Sequence, residues 1–443
     1  MTKISSKKIS ALIAANLISS IILIFIHTKS SNNNCIVFGI LLVVINTLLW
    51  LISDNTPHAL NIYITVTLLN SIGVGISILN CGDNSIIKPL ILTLISTIAA
   101  SIFYFLFPYI EKMIETQKGA VKVLYIITGL SVLIYLVLFI CPKVNGARAW
   151  LFIGSFSIQL TEITKFLFLL GLCITFGSKH FSTTKQIAIT TSLLFVNVFF
   201  LVMHNEFGTA FVMIITYILI QTIFTNVKQG LIILSISIIL FVIGIWTIIS
   251  LHEQLEPNTD TIISQYVNKL YGRISFDNTY QLKLALEGIA NGGIFGASSD
   301  YMIDIPVYES DFAFANLCQR MGVAMGIIVI AAFINLIVIL QKTSEDDNGS
   351  KGYNFRYRMA YIFAVVIAIQ TIIVLATNTG VLPIIGINMP FISEGGSQSL
   401  ITYIMSAMIV SHTNHMQNKL RKSKKLFQKR NTREDVFGHE VSY

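Results

Sequence analysis

Long runs of apolar residues, separated by short polar stretches, recur along most of the chain. A helix needs about 20 apolar residues to cross a bilayer core. The pattern predicts about 12 spanning helices: Ile9–His27, Cys35–Ile52, Ala59–Leu79, Pro89–Ile110, Val123–Cys141, Glu162–Gly177, Ile187–Met203, Thr209–Phe224, Gly230–Ser250, Phe312–Leu340, Met359–Ala376 and Ser393–Ser411. The runs are continuous and lack the period-2 alternation of a membrane β-barrel.

The composition supports a membrane protein and excludes an ordinary soluble one. Of the 443 residues, 54% are hydrophobic and only 12% are charged, whereas about 25% are charged in soluble domains. The five cysteines show no metal-binding spacing and are taken as apolar filler, with a Cys35–Cys81 disulfide left open. We therefore predict an all-α polytopic membrane protein.

The basic residues are concentrated on one side of the predicted membrane. If the N-terminus is cytoplasmic, the cytoplasmic segments hold 21 of the 30 Lys and Arg residues and the opposite segments hold 7. Because cytoplasmic loops retain positive charge, both termini are predicted to be cytoplasmic and the long loop 251–311 to be external. The net charge of +8 and the basic tail 412–443 favour anionic lipids as a partner over nucleic acid.

Polar residues gather at the predicted external ends of the spans. An ionisable group inside a bilayer costs at least a few kcal/mol, so such residues are functional candidates. The polar stretches are Asn145–Trp150, Gln159–Lys165, His204–Thr209, Glu309–Phe312 and 378–399. Binding or chemistry is therefore expected on the external side.

Two charged pairs admit both a structural and a functional interpretation. Glu162 and Lys165 stand three residues apart on one helix face. They either pair with each other or reach different partners, such as a phosphate for Lys165. His204 and Glu206 either cap the helix that follows or belong to a site.

Asp311 and Arg320 raise the same question near the end of the external loop. Asp311 lies where the loop meets an apolar helix, and it is either a helix cap or a partly desolvated carboxylate that acts as a base. Arg320 is predicted about two and a half turns deeper on the same helix. There it needs a carboxylate or a phosphate to offset its burial.

The stretch Gly380–Ser397 cannot be a regular spanning helix, because it contains two prolines and four glycines. Non-helical backbone at membrane depth persists only where protein or a wet cavity covers it. We predict a re-entrant or interfacial C-terminal segment that lines a site.

Five of these motifs, in this order, resemble the SEDS family of bacterial membrane proteins, whose members include FtsW, RodA and SpoVE. The family patterns are Asn-Gly-Ala-Arg-Arg-Trp, Gln-Pro-Ser-Glu followed by Lys, Pro-Asp-Leu-Gly-Thr, His-Thr-Asp-Phe, and Leu-Pro-x-x-Gly-x-x-x-Pro-x-x-Ser-Tyr-Gly-Gly-Ser. They correspond here to Asn145–Trp150, Gln159–Lys165, Asn205–Thr209, Glu309–Phe312 and Leu382–Ser397. The resemblance covers residues 145–411.

The departures from the family that bear on activity include Ala149, Leu160, Glu206, Glu309 and Glu394 within the motifs, and Gln319 and Arg320, which stand where the family has a pair of glutamates. Glu206 retains the charge and Asp311 is intact, which favours an active enzyme. The resemblance divides the chain into a cytoplasmic N-terminus (1–8), five helices (9–141), of which two exceed the usual family number, a catalytic core (142–411) and a basic tail (412–443).

The resemblance implies a peptidoglycan glycosyltransferase that polymerises lipid II, a lipid-linked disaccharide-peptide, at the outer face of the bacterial cytoplasmic membrane. The implied partners are lipid II, the polyprenyl diphosphate-linked glycan and a class B penicillin-binding protein. The process served, whether division, elongation or sporulation, stays open. Two alternatives are a lipid II flippase and a catalytically silent scaffold for the penicillin-binding protein.

The resemblance also implies roles for individual residues. Asp311 would be the general base, and Arg148 and Lys165 would stabilise the leaving diphosphate. Glu162 and Glu206 would hold these cations or a divalent metal ion, Mg²⁺ or Mn²⁺. The other residues expected to bind substrate are Trp150, Gly208, Thr209, Arg273, Gln281, Ser310, Arg320, Pro390, Ser393, Gly395, Gly396 and Ser397.

Overall fold

The structure, a computed structural model, is a bundle of helices, as the apolar runs predict. It describes residues 6–30, 35–53, 57–81, 87–144, 146–154, 156–225, 227–254, 267, 271, 279–298, 301–345, 355–394 and 396–408. Within these residues the only sheet is a two-stranded hairpin. The predicted all-α polytopic fold is confirmed. The basic tail 412–443 lies outside the described residues.

Five helices precede the hairpin. They are α1 (Ser6–Ser30), α2 (Cys35–Ile52), α3 (Pro57–Cys81), α4 (Ile87–Ile114) and α5 (Gln117–Leu138). The start of α5 shows how a local signal sets a boundary, because the Thr116 side chain accepts a hydrogen bond from the Gly119 N–H. Each of these helices contains most or all of one predicted span.

The hairpin and nine helices follow. They are β1 (Trp150–Ile153), β2 (Phe156–Gln159), α6 (Leu160–Gly177), α7 (Thr183–Met203), α8 (Phe207–Phe224), α9 (Val227–Gln254), α10 (Thr279–Asn291), α11 (Ala313–Met321), α12 (Val323–Glu345), α13 (Phe355–Asn378) and α14 (396–408). Among the described residues, nine helices are long and apolar enough to cross a membrane. The other three predicted spans coincide with α2, α9 and α14. The apolar stretches of these helices within the described residues are shorter.

Three helices form the centre of the bundle. In an apolar stretch of 18 residues from each helix, 83% of the residues of α3, 89% of those of α6 and 72% of those of α13 are buried. The corresponding share is 28% in α4, α5 and α7. Apolar side chains that point outward from the peripheral helices match a lipid environment. Many polar residues in the spans of these helices, such as Thr67 of α3, Lys165 of α6 and Gln370 of α13, therefore face protein.

The connections between helices lie at two ends of the bundle. We call one end the basic face; there the Arg356 guanidinium forms a two-point ion pair with the Glu111 carboxylate, and His180 contacts the Glu115 carbonyl. We call the other end the loop face. It holds the described residues within 139–159, 204–206, 279–312 and 379–394.

The predicted span Phe312–Leu340 is wrong, because the chain breaks at Gly322. Gly322 has φ +90°, and a Cβ there would overlap the Ile294 carbonyl. Its N–H bonds to the Cys318 carbonyl at 2.8 Å, and the Val323 N–H bonds to the Gly293 carbonyl at 2.9 Å. The result is a short helix α11 at the loop face and a separate span in α12.

The segment 379–394 is irregular, which confirms that it forms no spanning helix. Two helices cover its backbone through glycines. A Cβ on Gly208 of α8 would lie 2.9 Å from the Gly386 carbonyl oxygen, and a Cβ on Gly73 of α3 would overlap the carbonyl of Phe391. Two helices therefore pack directly against this non-helical backbone, at Gly386 and at Phe391.

The break at Gly322 is testable by a single substitution. Gly322→Ala would place a Cβ in a left-handed conformation against the Ile294 carbonyl, at a cost of about 2 kcal/mol or more. We expect the apparent melting temperature of the purified protein to fall by several degrees. The control is Gly129→Ala in α5, where a Cβ would meet no atom within 4 Å; equal melting temperatures for both variants would contradict the assignment.

Candidate functional site

The hairpin holds the start of the candidate site against α6 and α7. In its register Trp150 pairs with Gln159. The Arg148 N–H donates to the His204 carbonyl at 2.9 Å, and the Leu160 N–H donates to the Ala149 carbonyl at 2.8 Å. The hairpin is therefore fixed at both of its ends, next to the first turn of α6.

Glu162 and Lys165 form a buried ion pair. Lys165 Nζ lies 2.6 Å from Glu162 Oε2, and the side chains are 2% and 6% exposed for lysine and glutamate. Lys165 also donates to Gln398 Oε1 at 3.2 Å, and Gln398 donates to Gln370 Oε1 at 3.3 Å. Of the two arrangements considered for the pair, direct contact is the one observed.

Two clefts open near this pair. The inner cleft has a volume of about 10 Å³, enough for a single water molecule, and its walls include Gln159, Glu162, Lys165, Thr209, Gln370 and Asn388. The outer cleft has a volume of about 400 Å³, and its walls include Trp150, Ser157, Glu309, Ser310, Asn388 and Glu394. Asn388 lines both clefts. The outer cleft lies within the size range of ligand pockets.

Asp311 lies in the turn before α11 and is partly exposed. Its carbonyl accepts a hydrogen bond from Asn378 Nδ2 at 2.7 Å. The N-cap residue of α11 is Phe312, so Asp311 does not occupy the N-cap position. The two residues before it, Glu309 and Ser310, line the outer cleft, whereas Asp311 itself is not in the cleft wall.

The turn at residues 309–310 is tied to the irregular segment. The Glu394 N–H donates to the Glu309 carbonyl at 2.8 Å, and Ser393 Oγ donates to the Ser310 carbonyl at 3.0 Å. Ser397 Oγ accepts from the Gln159 N–H at 2.7 Å. The structure thus brings three of the motifs into one place, with Ser393 and Ser397 in connecting roles.

Strained backbone is found at this end of the bundle. Among the described residues, Asn205, Val307 and Phe391 are the non-glycine residues with positive φ, at 60°, 53° and 63°. For a β-branched residue such as Val307 this conformation is a marked outlier. Such strain persists only where the surrounding structure holds it, and it is often found at functional sites.

The residues between α7 and α8 have capping roles. His204 is the C-cap of α7 and Glu206 is the N-cap of α8. Thr209 Oγ1 donates to Glu206 Oε1 at 3.0 Å, and Thr209 also lines the inner cleft. Glu206 thus stands at the predicted N-cap position, although its side chain makes no cap hydrogen bond, whereas His204 ends the preceding helix and does not cap the next one. Thr209 connects Glu206 to the cleft.

Arg320 lies at the C-terminal end of the short helix α11, not two and a half turns deeper on a long span that continues from Asp311. Its Nε donates to Asn316 Oδ1 at 3.1 Å, and Nη1 donates to the Leu79 carbonyl at 2.8 Å. The single-span prediction failed because Gly322 ends the helix two residues later. Arg320 therefore contacts the end of α3.

The remaining predicted site residues differ in position. Gly396 packs on Leu92 and lines the outer cleft, Pro390 is buried beside Phe391, and Gln281 is half-buried on α10. Arg273 and Gly395 lie outside the described residues. Four polar residues that were not predicted individually belong to the site, namely Asn80, Gln370, Asn388 and Gln398. The signal that could have found such residues is a polar side chain within or beside an apolar run.

The predicted divalent cation finds no cage of protein ligands in the described residues, which provide no group of three His, Cys, Asp or Glu side chains. Glu162 is paired with Lys165, and Glu206 accepts a bond from Thr209. The residues present do not fit a site built from protein ligands alone. No step proposed below depends on a metal ion.

Arg148 carries an unsatisfied donor. Its Nε is buried and has no hydrogen-bond partner among the described residues. A buried donor without a partner is costly, so an anionic ligand that approaches it would be favoured. Arg148 thereby fits anion binding, although it is not in the wall of either cleft.

Comparisons with known proteins agree with these features. The profile of the FtsW/RodA/SpoVE family, described as a cell cycle protein, matches residues 59–419. A protein named probable peptidoglycan glycosyltransferase FtsW from Coxiella burnetii is 26% identical over 314 residues, which cover 68% of this chain and 79% of the relative. A protein of the same name from Bacillus subtilis is 28% identical over 327 residues, covering 69% and 75%.

A solved structure shares the fold. It is described as "Structural coordination of polymerization and crosslinking by a peptidoglycan synthase complex". It aligns with a TM-score of 0.62 at 18% identity and covers 80% of this chain and 97% of that chain. The bundle described above is therefore a known arrangement.

The burial of His204 predicts that the stability of the fold depends on pH. Burial lowers the pKa of His204 below its usual value of 6.5, Arg148 acts in the same direction, and the hydrogen bond with the Tyr135 carbonyl opposes them. The unfolded chain therefore binds a proton at His204 more readily than the folded chain, so acidification below about pH 6.5 destabilises the fold.

We expect the apparent melting temperature to fall between pH 8 and pH 5.5, and to fall less in His204→Gln, whose amide can still donate to the Tyr135 carbonyl. Comparing the slope of melting temperature against pH in the two proteins removes any effect of the substitution that does not depend on pH. Identical slopes for wild type and variant would show that His204 does not contribute.

Proposed function

The chain belongs to the FtsW/RodA/SpoVE family of cell cycle proteins, and from this membership we propose that it is a peptidoglycan glycosyltransferase that polymerises lipid II. The observation that carries the proposal is the pair of clefts at the loop face, which share Asn388 in their walls, with the buried Lys165–Glu162 pair lining the inner one. The lysine ammonium attracts the negative charge of a diphosphate, and the outer cleft has room for sugar units.

The proposed reaction transfers a glycan chain from its polyprenyl diphosphate to the sugar of an incoming lipid II. A hydroxyl of the acceptor attacks the anomeric carbon of the donor chain, and the bond from that carbon to the diphosphate oxygen breaks. Asp311 takes the hydroxyl proton as general base. Its carbonyl is held by Asn378, and its neighbours Glu309 and Ser310 line the outer cleft, which supports this role.

The leaving diphosphate gains negative charge as the bond breaks. Lys165, which lines the inner cleft, and Arg148, with its unsatisfied Nε, are the cations proposed to stabilise it. Glu162 holds the Lys165 Nζ at 2.6 Å and so fixes its position. Positioned charges of this kind lower the barrier because they require no rearrangement during the reaction.

The proposed orientation places the loop face outside the cytoplasm and both termini inside. It is supported by the distribution of Lys and Arg. The basic side would then meet the anionic inner leaflet. A class B penicillin-binding protein is the proposed partner, which fits the likeness of the fold to a structure described as a peptidoglycan synthase complex.

The assay for the function uses purified protein, fluorescent lipid II and the cognate class B penicillin-binding protein. We expect wild type to make glycan strands and Asp311→Asn to make them at least about 100-fold more slowly, because a general base contributes 10²–10⁴-fold. The matched control is Asp304→Asn, an exposed aspartate of the same loop, which should retain activity.

Three outcomes separate the alternatives. Strands formed by Asp311→Asn at the wild-type rate would reject the assigned base. Wild type that makes no strands but moves lipid II across a vesicle membrane would establish a flippase. Wild type that does neither, yet binds the penicillin-binding protein, would establish a scaffold.

A second prediction separates the structural and catalytic contributions of the buried pair. Lys165→Met leaves the Glu162 charge buried without its partner, which costs about 3–5 kcal/mol and should lower the apparent melting temperature. Glu162→Gln/Lys165→Met removes both charges and should restore most of that loss. Polymerisation should stay at least about 100-fold below wild type in both variants. Recovery of activity in the double variant would show that the pair has a structural role only.

A further inference from the structure

A chain of hydrogen bonds connects the outer cleft to the end of α3. Arg320 Nε donates to Asn316 Oδ1 at 3.1 Å, Asn316 Nδ2 donates to Asn80 Oδ1 at 3.0 Å, and Asn80 Nδ2 donates to Glu394 Oε1 at 2.8 Å. We call these four residues the relay. It joins three parts of the chain that are distant in sequence: α3, α11 and the irregular segment.

The direction of the relay follows from the chemistry of its ends. A guanidinium only donates hydrogen bonds, and an ionised carboxylate only accepts them. Each asparagine between them must therefore turn its oxygen toward Arg320 and its NH₂ toward Glu394. Aligned bonds of this kind polarise one another in a low dielectric, so the positive charge at one end stabilises the negative charge at the other.

The positive end of the relay is anchored to regular structure. Arg320 Nη1 donates to the Leu79 carbonyl at 2.8 Å. Leu79 lies in the last turn of α3, where carbonyls lack intrahelical partners and a cation is favoured. This contact fixes the position of Asn80, the next residue, and hence of the group that holds Glu394.

The negative end of the relay lies in the outer cleft. Glu394 lines that cleft together with Trp150 and Glu309, and its backbone N–H is bonded to the Glu309 carbonyl at 2.8 Å. A carboxylate offers about four acceptor positions; one receives the bond from Asn80, and the residue itself forms part of the cleft wall. The carboxylate is therefore positioned at its backbone and at its side chain, in a space that can hold a ligand.

We propose that Glu394 is a substrate-positioning residue, which accepts hydrogen bonds from hydroxyl or amide N–H groups of the disaccharide-peptide, and that Arg320 maintains its charge and orientation through the relay. The proposal rests on the glycosyltransferase function above. It deepens that function by assigning the sugar-peptide part of the substrate to the outer cleft. Glu394 acts on binding and takes no part in the proton transfer at Asp311.

The test measures binding and turnover separately. In Glu394→Gln the amide oxygen can still accept from Asn80, so the fold is retained, but the acceptor is uncharged. Because bonds to charged groups are about twice as strong as neutral ones, we expect the Kd for fluorescent lipid II and the KM to rise about tenfold. The kcat should stay within about threefold and the melting temperature should not change.

A double-variant cycle tests the relay itself. Arg320→Gln should also raise Kd about tenfold, and Arg320→Lys should recover part of that loss. In Glu394→Gln/Arg320→Gln the loss should be no larger than in Glu394→Gln alone, since no charge is left to support. Additive losses would show that the two residues act independently and would overturn the relay.

Controls keep this result separate from the proposed function. Glu287→Gln removes an exposed carboxylate of α10 that pairs with Lys283, and it should bind lipid II as wild type does. Binding needs no turnover, so wild type that binds without polymerising would count against the glycosyltransferase alone. A wild-type Kd in Glu394→Gln, or a fall in melting temperature that accompanies weaker binding, would overturn the role of Glu394.

Discussion

Two opposite charges, on Glu162 and Lys165, lie 2.6 Å apart inside the bundle. The arrangement of the central helices depends on giving both charged groups ion-pair and hydrogen-bond partners. A single charge in an apolar interior costs several kcal/mol, and pairing offsets this cost only when the geometry is good and further hydrogen bonds are made. Lys165 makes one such bond by donating to Gln398 of α14. Gln398 in turn bonds to Gln370 of α13, so the pair determines which sides of α6, α13 and α14 face one another.

The same requirement explains why an irregular segment closes the loop face. The backbone of residues 379–394 makes only some of its hydrogen bonds internally, so side chains and a neighbouring turn bond to other groups of it. Ser393 bonds to the Met389 N–H and to the Ser310 carbonyl, and Glu394 bonds to the Glu309 carbonyl. These bonds leave space between the hairpin and the turn at residues 309–310. The outer cleft is thus a consequence of where the backbone groups of this segment find their hydrogen-bond partners.

The sequence predicted the features that depend on local composition. Apolar length located the spans, and the i, i+3 spacing predicted that Glu162 and Lys165 share a face. The break at Gly322 was missed because apolar residues continue on both sides and only the packed Ile294 carbonyl excludes a side chain. Contacts such as that between Lys165 and Gln398, 233 residues apart, depend on tertiary packing that no local pattern encodes.

Helix α3 connects the two N-terminal helices to the site. The family match begins at residue 59, so α1 and α2 precede it. Asn46 of α2 donates to Ser19 of α1 at 3.0 Å, and Ser19 shares a hydrogen bond with Ser71 of α3 at 2.8 Å. Hydrogen bonds between buried helices contribute about 0.6 kcal/mol each on average in a membrane. They hold α3 against α1 and α2, and the same helix carries Asn80, through which Arg320 and Asn316 are linked to Glu394.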